Sequence, residues 1–192
     1  MSPAKSRTRT AGPDIRVGLI AAGRKILERD GVAGLTVRAV AAEAGVAPMG
    51  VYNHFDGKEG LIDAVVTDGF AEFASAIAAT DDDPALRLSN SGRAYRTFAL
   101  ANPVLYSLMF SSECEADLEV AARGFLALAD IIRYGQVAGR IIAGDANDFA
   151  LQAWSCVHGA VALELAGSAP PFVDTAANFE HILELIARGL AP

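Results

Sequence analysis

The chain has 192 residues, 52% hydrophobic and 20% charged, with a formal net charge of −7. That length supplies one or two domains with a real core, and the apolar excess excludes general disorder and argues for large burial or a subunit interface. Apolar stretches such as Ala160 to Leu163 meet a charge, here Glu164, long before the ~20 residues of a membrane helix, so no transmembrane span is expected.

The negative total hides a split. Residues 1–60 hold nine Lys/Arg against six Asp/Glu, net +3, and residues 61–192 hold seven against seventeen, net −10. A small basic module on an acidic body lets phosphate attraction orient one face while the body is repelled from nucleic acid. Residues 1–13 read as a flexible basic arm carrying Lys5, Arg7 and Arg9. The arm lacks the apolar stretch and cleavage site of a secretory signal, so a cytoplasmic location is expected. Cys114 and Cys156 lack CxxC spacing and read as reduced, packed thiols in helical surroundings.

Apolar residues recur at three- and four-residue steps, as in Leu118, Ala121, Ala122, Phe125, Leu128, Ala129 and Ile132, and no strand-like alternation appears. The expectation is an all-α chain of nine helices, at 14–30, 37–44, 48–54, 58–79, 84–101, 103–110, 116–134, 146–166 and 174–190. Gly31, Gly45 and Gly57 punctuate the first four, Asp83-Pro84 caps the fifth, and Asn102-Pro103 breaks the chain before the sixth. Thr80 to Asp83 is the one seam after the basic module, and the fourth helix is expected to span both parts.

The informative run is Leu35 to Phe55, ordered as a helix-turn-helix. Thr36 can cap its first helix; Val40 and Ala44 form the inner face; Ala41 is small where a crossing helix approaches; Gly45 suits a left-handed turn. Pro48 can open the second helix because a first-turn amide is unpaired anyway. Around Val51 that helix carries Met49, Gly50, Tyr52, Asn53 and His54, a surface suited to contact. In such a motif the second helix reaches base edges, and Arg38, Tyr52, His54 and Lys58 are placed to hold phosphates. Short glycine-separated helices also occur in bundles with no nucleic-acid role, so spacing alone leaves both readings open.

Other chemistry is disfavoured. Cys156 and His158, two residues apart on a helix, point about 200° away from each other at ~100° per residue, so they cannot act as a nucleophile and base. His54, His158 and His181 have no metal-ligand spacing, no phosphate loop is present, and Asp81-Asp82-Asp83 reads as a solvated helix start. Neither an enzyme, a metal nor a cofactor is expected. His158 either lines a pocket or is a hydrogen-bonded core residue.

Arg29-Asp30-Gly31, Leu35-Thr36-Val37-Arg38, Ala44-Gly45-Val46, Val51-Tyr52-Asn53-His54-Phe55, Lys58-Glu59 and Leu61 resemble the N-terminal signature of TetR family repressors. Tyr95 to Ala99, Pro103 to Tyr106, Leu108 to Phe110, Trp154, His158-Gly159 and Leu163 to Leu165 resemble a C-terminal subgroup named for its Trp-His-Gly (WHG) pattern. The resemblance implies a three-helix DNA-binding domain at 14–60 and a helical ligand-binding and dimerisation domain at 61–192. Its DNA-contacting set is Thr36, Val37, Arg38, Ala47, Pro48, Met49, Gly50, Tyr52, Asn53, His54 and Lys58, on double-stranded operator DNA. It also implies a homodimer through 146–166 and 174–190. A small apolar or aromatic effector is expected among the fifth to eighth helices, against Phe98, Tyr106, Met109, Phe110, Phe125, Trp154 and His158.

Two positions depart from the family pattern. Many relatives carry Ser or Thr where this chain has Ala47, and a hydroxyl near Gly50. With fewer side-chain donors, backbone contacts, Met49 on a thymine methyl and DNA shape are expected to carry more of the specificity. The rival from another class is a helical ligand-binding or enzymatic protein without DNA binding, supported by the overall acidity and Gly50.

Overall fold

The computed structural model describes residues 12–112 and 114–192. Of the expected basic arm, residues 1–11 therefore lie outside the description, and residues 12 and 13 open the first helix. Among the described residues there are nine helices and no strand: α1 Gly12–Gly34, α2 Val37–Glu43, α3 Pro48–Tyr52, α4 Gly57–Ile77, α5 Pro84–Ala101, α6 Pro103–Met109, α7 Leu118–Val137, α8 Ala146–Leu165 and α9 Thr175–Gly189. None is long and apolar enough to cross a membrane.

The boundaries follow local chemistry. Thr36 caps α2 by accepting from the Ala39 amide at 3.2 Å, and Asp83 caps α5 by accepting from the Ala85 amide at 2.8 Å. Proline opens α3, α5 and α6, where no amide hydrogen is needed. Three helices depart from the sequence expectation in ways that local chemistry explains. A last turn follows a break at Gly31 (φ 68°, ψ −172°), carrying α1 to Gly34. Helix α3 stops at Tyr52 because the chain turns back through Asn53 and His54 towards Gly57. Helix α7 is shifted to 118–137, since Asp117 accepts from the Glu119 and Val120 amides and Gly139 (φ 66°) ends it. The cysteines also differ: Cys114 lies half-buried between α6 and α7, outside any helix, and Cys156 is exposed on α8 rather than packed.

One continuous hydrophobic cluster runs from Leu19 on α1 through Val40, Val51 and Leu61 to Phe73, Tyr95, Leu105, Val161 and Leu183. A smaller one joins Ala129 and Ile132 of α7 to Ile141, Ala150 and Leu190. Arg96 on α5 makes paired hydrogen bonds of 2.8 and 2.6 Å to Glu164 of α8, which also accepts from Thr175 at the start of α9. Arg93 pairs with Glu180 of α9. These bridges fasten α5 to the last two helices over the apolar contacts beneath.

The turn between α2 and α3 depends on Gly45, whose φ is 69°. No neighbour would touch an added Cβ there, so the cost of a side chain is purely backbone strain. Gly45→Ala should lower unfolding free energy by roughly 1–2 kcal/mol, and Gly45→Asn by less, read from urea denaturation.

Candidate nucleic-acid interface and helical cavity

Val40, Ala41 and Val51, each no more than 1% exposed, lock α2 and α3 against the body and fix which side chains face outward. Thr36, Arg38, Ala47, Pro48, Met49, Tyr52, Asn53 and Lys58 are exposed, while Val37, Gly50 and His54 are half-buried. Met49 and Tyr52 are 65% and 58% exposed, unusual for large apolar side chains on so short a helix. All eleven residues singled out from the sequence thus fall on one continuous stretch across α2, α3 and the start of α4. Ala47 provides no side-chain cap, as its chemistry requires.

Charge also bears on this surface. Arg24, Arg29, Arg93, Arg96 and Arg133 are engaged with carboxylates. Arg38 and Lys58 have no ion-pair partner among the described residues, a property they share with Arg16, Arg87, Arg123, Arg140 and Arg188. Two free cations flank the exposed face of α3, where they can meet phosphates without first breaking an internal pair.

The second feature is a cavity of about 240 Å³ enclosed by α4, α5, α7, α8 and α9. Phe110, Phe125 and Trp154 line it, as expected. Phe98, Tyr106, Met109 and His158 do not: they stand behind the wall. Phe98 packs edge-on to the lining Phe73, and Tyr106 and His158 bond to the lining Tyr95. Sequence reasoning omitted the walls supplied by Phe70, Phe73 and Ile77 of α4 and by Leu183 and Ile186 of α9. The three-and-four spacing of the α4 residues was a signal for them.

Behind the cavity lies a closed polar network. The Tyr95 hydroxyl is 2.9 Å from that of Tyr106 and 2.8 Å from His158 Nδ1, and Trp154 Nε1 donates to it at 3.2 Å. An indole nitrogen can only donate, so the Tyr95 oxygen accepts from Trp154; the Tyr106 hydroxyl also lies 2.9 Å from His158 Nδ1, so one phenolic proton bridges the two tyrosines and the other goes to Nδ1. Burial, with the hydrogen bond to Tyr95, raises the Tyr106 pKa far above its ordinary value. This arrangement leaves every proton with an acceptor and requires a neutral His158 carrying its hydrogen on Nε2. Burial lowers the His158 pKa from the ordinary 6.5, the direction the network needs. His158 is therefore a hydrogen-bonded structural residue that stands behind the lining side chains of Tyr95, Phe110 and Trp154. Among the described residues no group of three or more His, Cys, Asp and Glu could hold a metal ion.

Comparison with known proteins gives consistent matches. The family model for tetR family bacterial regulatory proteins matches residues 19–65, and that for the tetracyclin repressor-like C-terminal domain matches residues 88–186. An uncharacterised HTH-type transcriptional regulator of Mycobacterium tuberculosis is 30% identical over 185 residues, which cover 91% of this chain and 81% of that protein. A solved structure of a protein of unknown function from Rhodococcus sp. RHA1 aligns with a TM-score of 0.83 and 28% identity, over 98% of this chain and 100% of that one. A bacterial regulatory protein in the tetR family from Rhodococcus RHA1 shares the fold with a TM-score of 0.65 and 21% identity, over 95% and 98% of the two chains.

The His158 environment makes stability depend on pH. Its folded pKa is depressed, so its contribution is complete above 6.5 and is lost as pH falls through the lowered folded value. Glu164 and Glu180, held below 4.5 by Arg96 and Arg93, act in the same direction only at lower pH. The urea midpoint should fall as pH drops below 6.5. His158→Asn, which keeps an acceptor near the Nδ1 position, should flatten that upper part of the profile and leave the acid limb.

Proposed function

The chain belongs to the TetR family of bacterial regulatory proteins and is a DNA-binding transcriptional regulator, and we propose that it acts as a repressor released from operator DNA by a small apolar or aromatic effector. The observation that carries the DNA-binding assignment of individual residues is the exposed face of α3 bounded by two unpaired cations. In this reading Met49 and Asn53 face the major groove and Tyr52 lies against a phosphate, with Thr36, Val37, Ala47, Pro48 and Gly50 bringing backbone close. Arg38, His54 and Lys58 hold phosphates. Residues 14–60 act as the DNA-binding unit and 61–192 as the sensing and dimerising unit, working in the cytoplasm. The side chains of Trp154, His158 and Tyr95 give the WHG resemblance a structural content, because they form one network behind the sensor cavity.

The proposed homodimer uses the outward faces of α8 and α9. Trp154, Val157, Val161, Phe179 and Leu183 are occupied by the subunit's own cavity and core, so the partner meets other residues. Cys156, Gly159 and Leu163 share the exposed face of α8, and Leu185 stands 57% exposed on α9. Two subunits so paired place two copies of α3 on successive major grooves of a roughly palindromic site.

Release works through α4, which carries the DNA-binding core at one end and the cavity wall at the other. An effector that binds one spacing of the recognition helices better than the other shifts the population towards it.

Retardation of the chain's own upstream DNA, weakening with salt, tests the reading; no retardation, together with turnover of a small molecule, would overturn it. Arg38→Ala and Lys58→Ala should each weaken binding to all sequences alike and flatten the slope of log affinity against log salt by about 0.9. Asn53→Ala should cost little discrimination between operator variants; loss of several strong base preferences on that change alone would sink readout by shape. In sedimentation at micromolar concentration the parent should run as a dimer and Leu163→Arg as a monomer. A monodisperse parent monomer removes the dimer model.

A further inference from the structure

A second, outer compartment borders the cavity across a shared wall. About 340 Å³ of space lies between the start of α5, the turn after α7 and the end of α9, and Ala85, Leu88 and Ala187 wall both this compartment and the inner chamber. The two adjoin through those three side chains.

Their chemistries differ. No charged residue lines the inner chamber. Its Tyr95 hydroxyl is engaged behind the wall, and the Ser89 hydroxyl donates to the Leu86 carbonyl at 3.1 Å. Ser91 is the exception: it lines the chamber, is 3% exposed, and its hydroxyl has no hydrogen-bond partner among the described residues. A ligand body there can carry one hydrogen-bonding group; further polar groups would be buried without partners. In the outer compartment Arg140 is the one charged side chain on the wall. It is exposed and makes no ion pair among the described residues. No Asp or Glu side chain lines this compartment; of the aspartates just before α5, Asp83 caps that helix and Asp81 accepts from the Asn90 side chain.

Arg140 also sits on a firm base. Its amide and that of Ile141 both donate to the Gly135 carbonyl, at 2.9 and 3.2 Å, and the Ile142 amide donates to the Leu190 carbonyl at 2.9 Å. The Gln136 side chain donates to the carbonyls of Ile142 and Gly144. The turn thus holds a cation at the outer end of an apolar chamber.

We propose that the effector is an amphipathic monoanion, a carboxylate whose apolar body fills the inner chamber and whose head pairs with Arg140. This rests on reading the chamber as the effector site. A cavity of 150 Å³ takes a benzene ring, so the inner chamber holds a body on the order of ten carbons. One charged side chain on the wall of the outer compartment suits a single negative charge and disfavours polyanions; a cationic head would meet only repulsion from Arg140.

Trp154 is the one tryptophan of the sequence and lines the chamber, so its emission reports occupancy without DNA. The test titrates the full chain with decanoate and with decanol, at neutral pH and below self-association of either probe. Decanoate should change Trp154 emission saturably and bind about fivefold tighter than decanol. Arg140→Ala should abolish that preference and Arg140→Lys retain it. Arg123→Ala, an exposed arginine of α7 on neither wall, should leave the ratio as in the parent. Decanol binding as tightly as decanoate, or a preference surviving Arg140→Ala, overturns the anionic head while the chamber stands. Silence of Trp154 towards both probes removes the chamber as effector site and the proposal with it.

Discussion

A single helix has to satisfy two cores, and most of the structure depends on that constraint. Leu61, Val65 and Val66 at the N-terminal end of α4 are buried against the helix-turn-helix; one and two turns on, Gly69, Phe70, Phe73 and Ile77 are buried against the sensor helices. The approach is close at both ends. A Cβ on Gly23 of α1 would stand 2.9 Å from Val65, and one on Gly124 of α7 would stand 2.9 Å from Phe73. Interiors packed this tightly do not absorb displacement locally; they pass it on. A shift of Phe73 is therefore a shift of α4, and a shift of α4 carries Leu61 and Val65 with it.

Arg24 reinforces the same connection from outside the core. Its guanidinium, 15% exposed, reaches Asp68 and Glu72 on α4 and donates to the Asn102 side chain at the α5–α6 corner. Asn102 in turn donates to the Phe98 carbonyl at 3.0 Å. The cavity walls are unequal in consequence. On the side of α5, α6 and α8 the hydroxyl, indole and imidazole groups of Tyr95, Tyr106, Trp154 and His158 are bonded to one another, and any movement there strands a buried polar group. The walls from α4, α7 and α9 are apolar side chains with no such restraint. In the proposed role, a ligand in the chamber could displace α4, α7 or α9 without stranding a buried polar group, and of these α4 is the one that continues to the proposed DNA-binding unit.

Much of this was legible in the sequence because it was written in local chemistry. Thr36, Gly45, Pro48, Asp83 and Pro103 each act within a turn of their own position, and the helices they bound stand within about three residues of expectation. The exposed face of α3 followed from one apolar Val51 among polar neighbours. The cavity was harder to read. Aromatic residues at helical spacing mark a core, but which of them border empty space depends on crossings between helices distant in sequence. Phe110, Phe125 and Trp154 fell on the wall, while Phe98 and Tyr106 fell one layer behind it. His158, left open between pocket and core, took its place through hydrogen bonds to residues 52 and 63 positions away, a separation no local pattern encodes. Cys156 was read as packed because its helix is apolar all round, and it is exposed because that helix has a second face the subunit itself does not cover.

Gly50 raises a question of cause. A glycine inside a helix costs about 1 kcal/mol relative to alanine, a large sum for a helix as short as Pro48–Tyr52. Packing does not demand it: an added Cβ would stand 3.4 Å from Val46, and Gly50 has no positive φ. The turn would fold with alanine or serine there. What glycine alone provides is a helix surface without a side chain, flanked by Met49, Tyr52 and Asn53 on the face turned outward. In the proposed role that absence lets the α3 backbone approach the duplex more closely than any other residue would allow. Contact through backbone and van der Waals surface senses groove width and deformability, whereas a hydroxyl would add a direct bond to a base. In that role, with Ala47 likewise silent, this face would fit a duplex of particular shape more than spell out its bases.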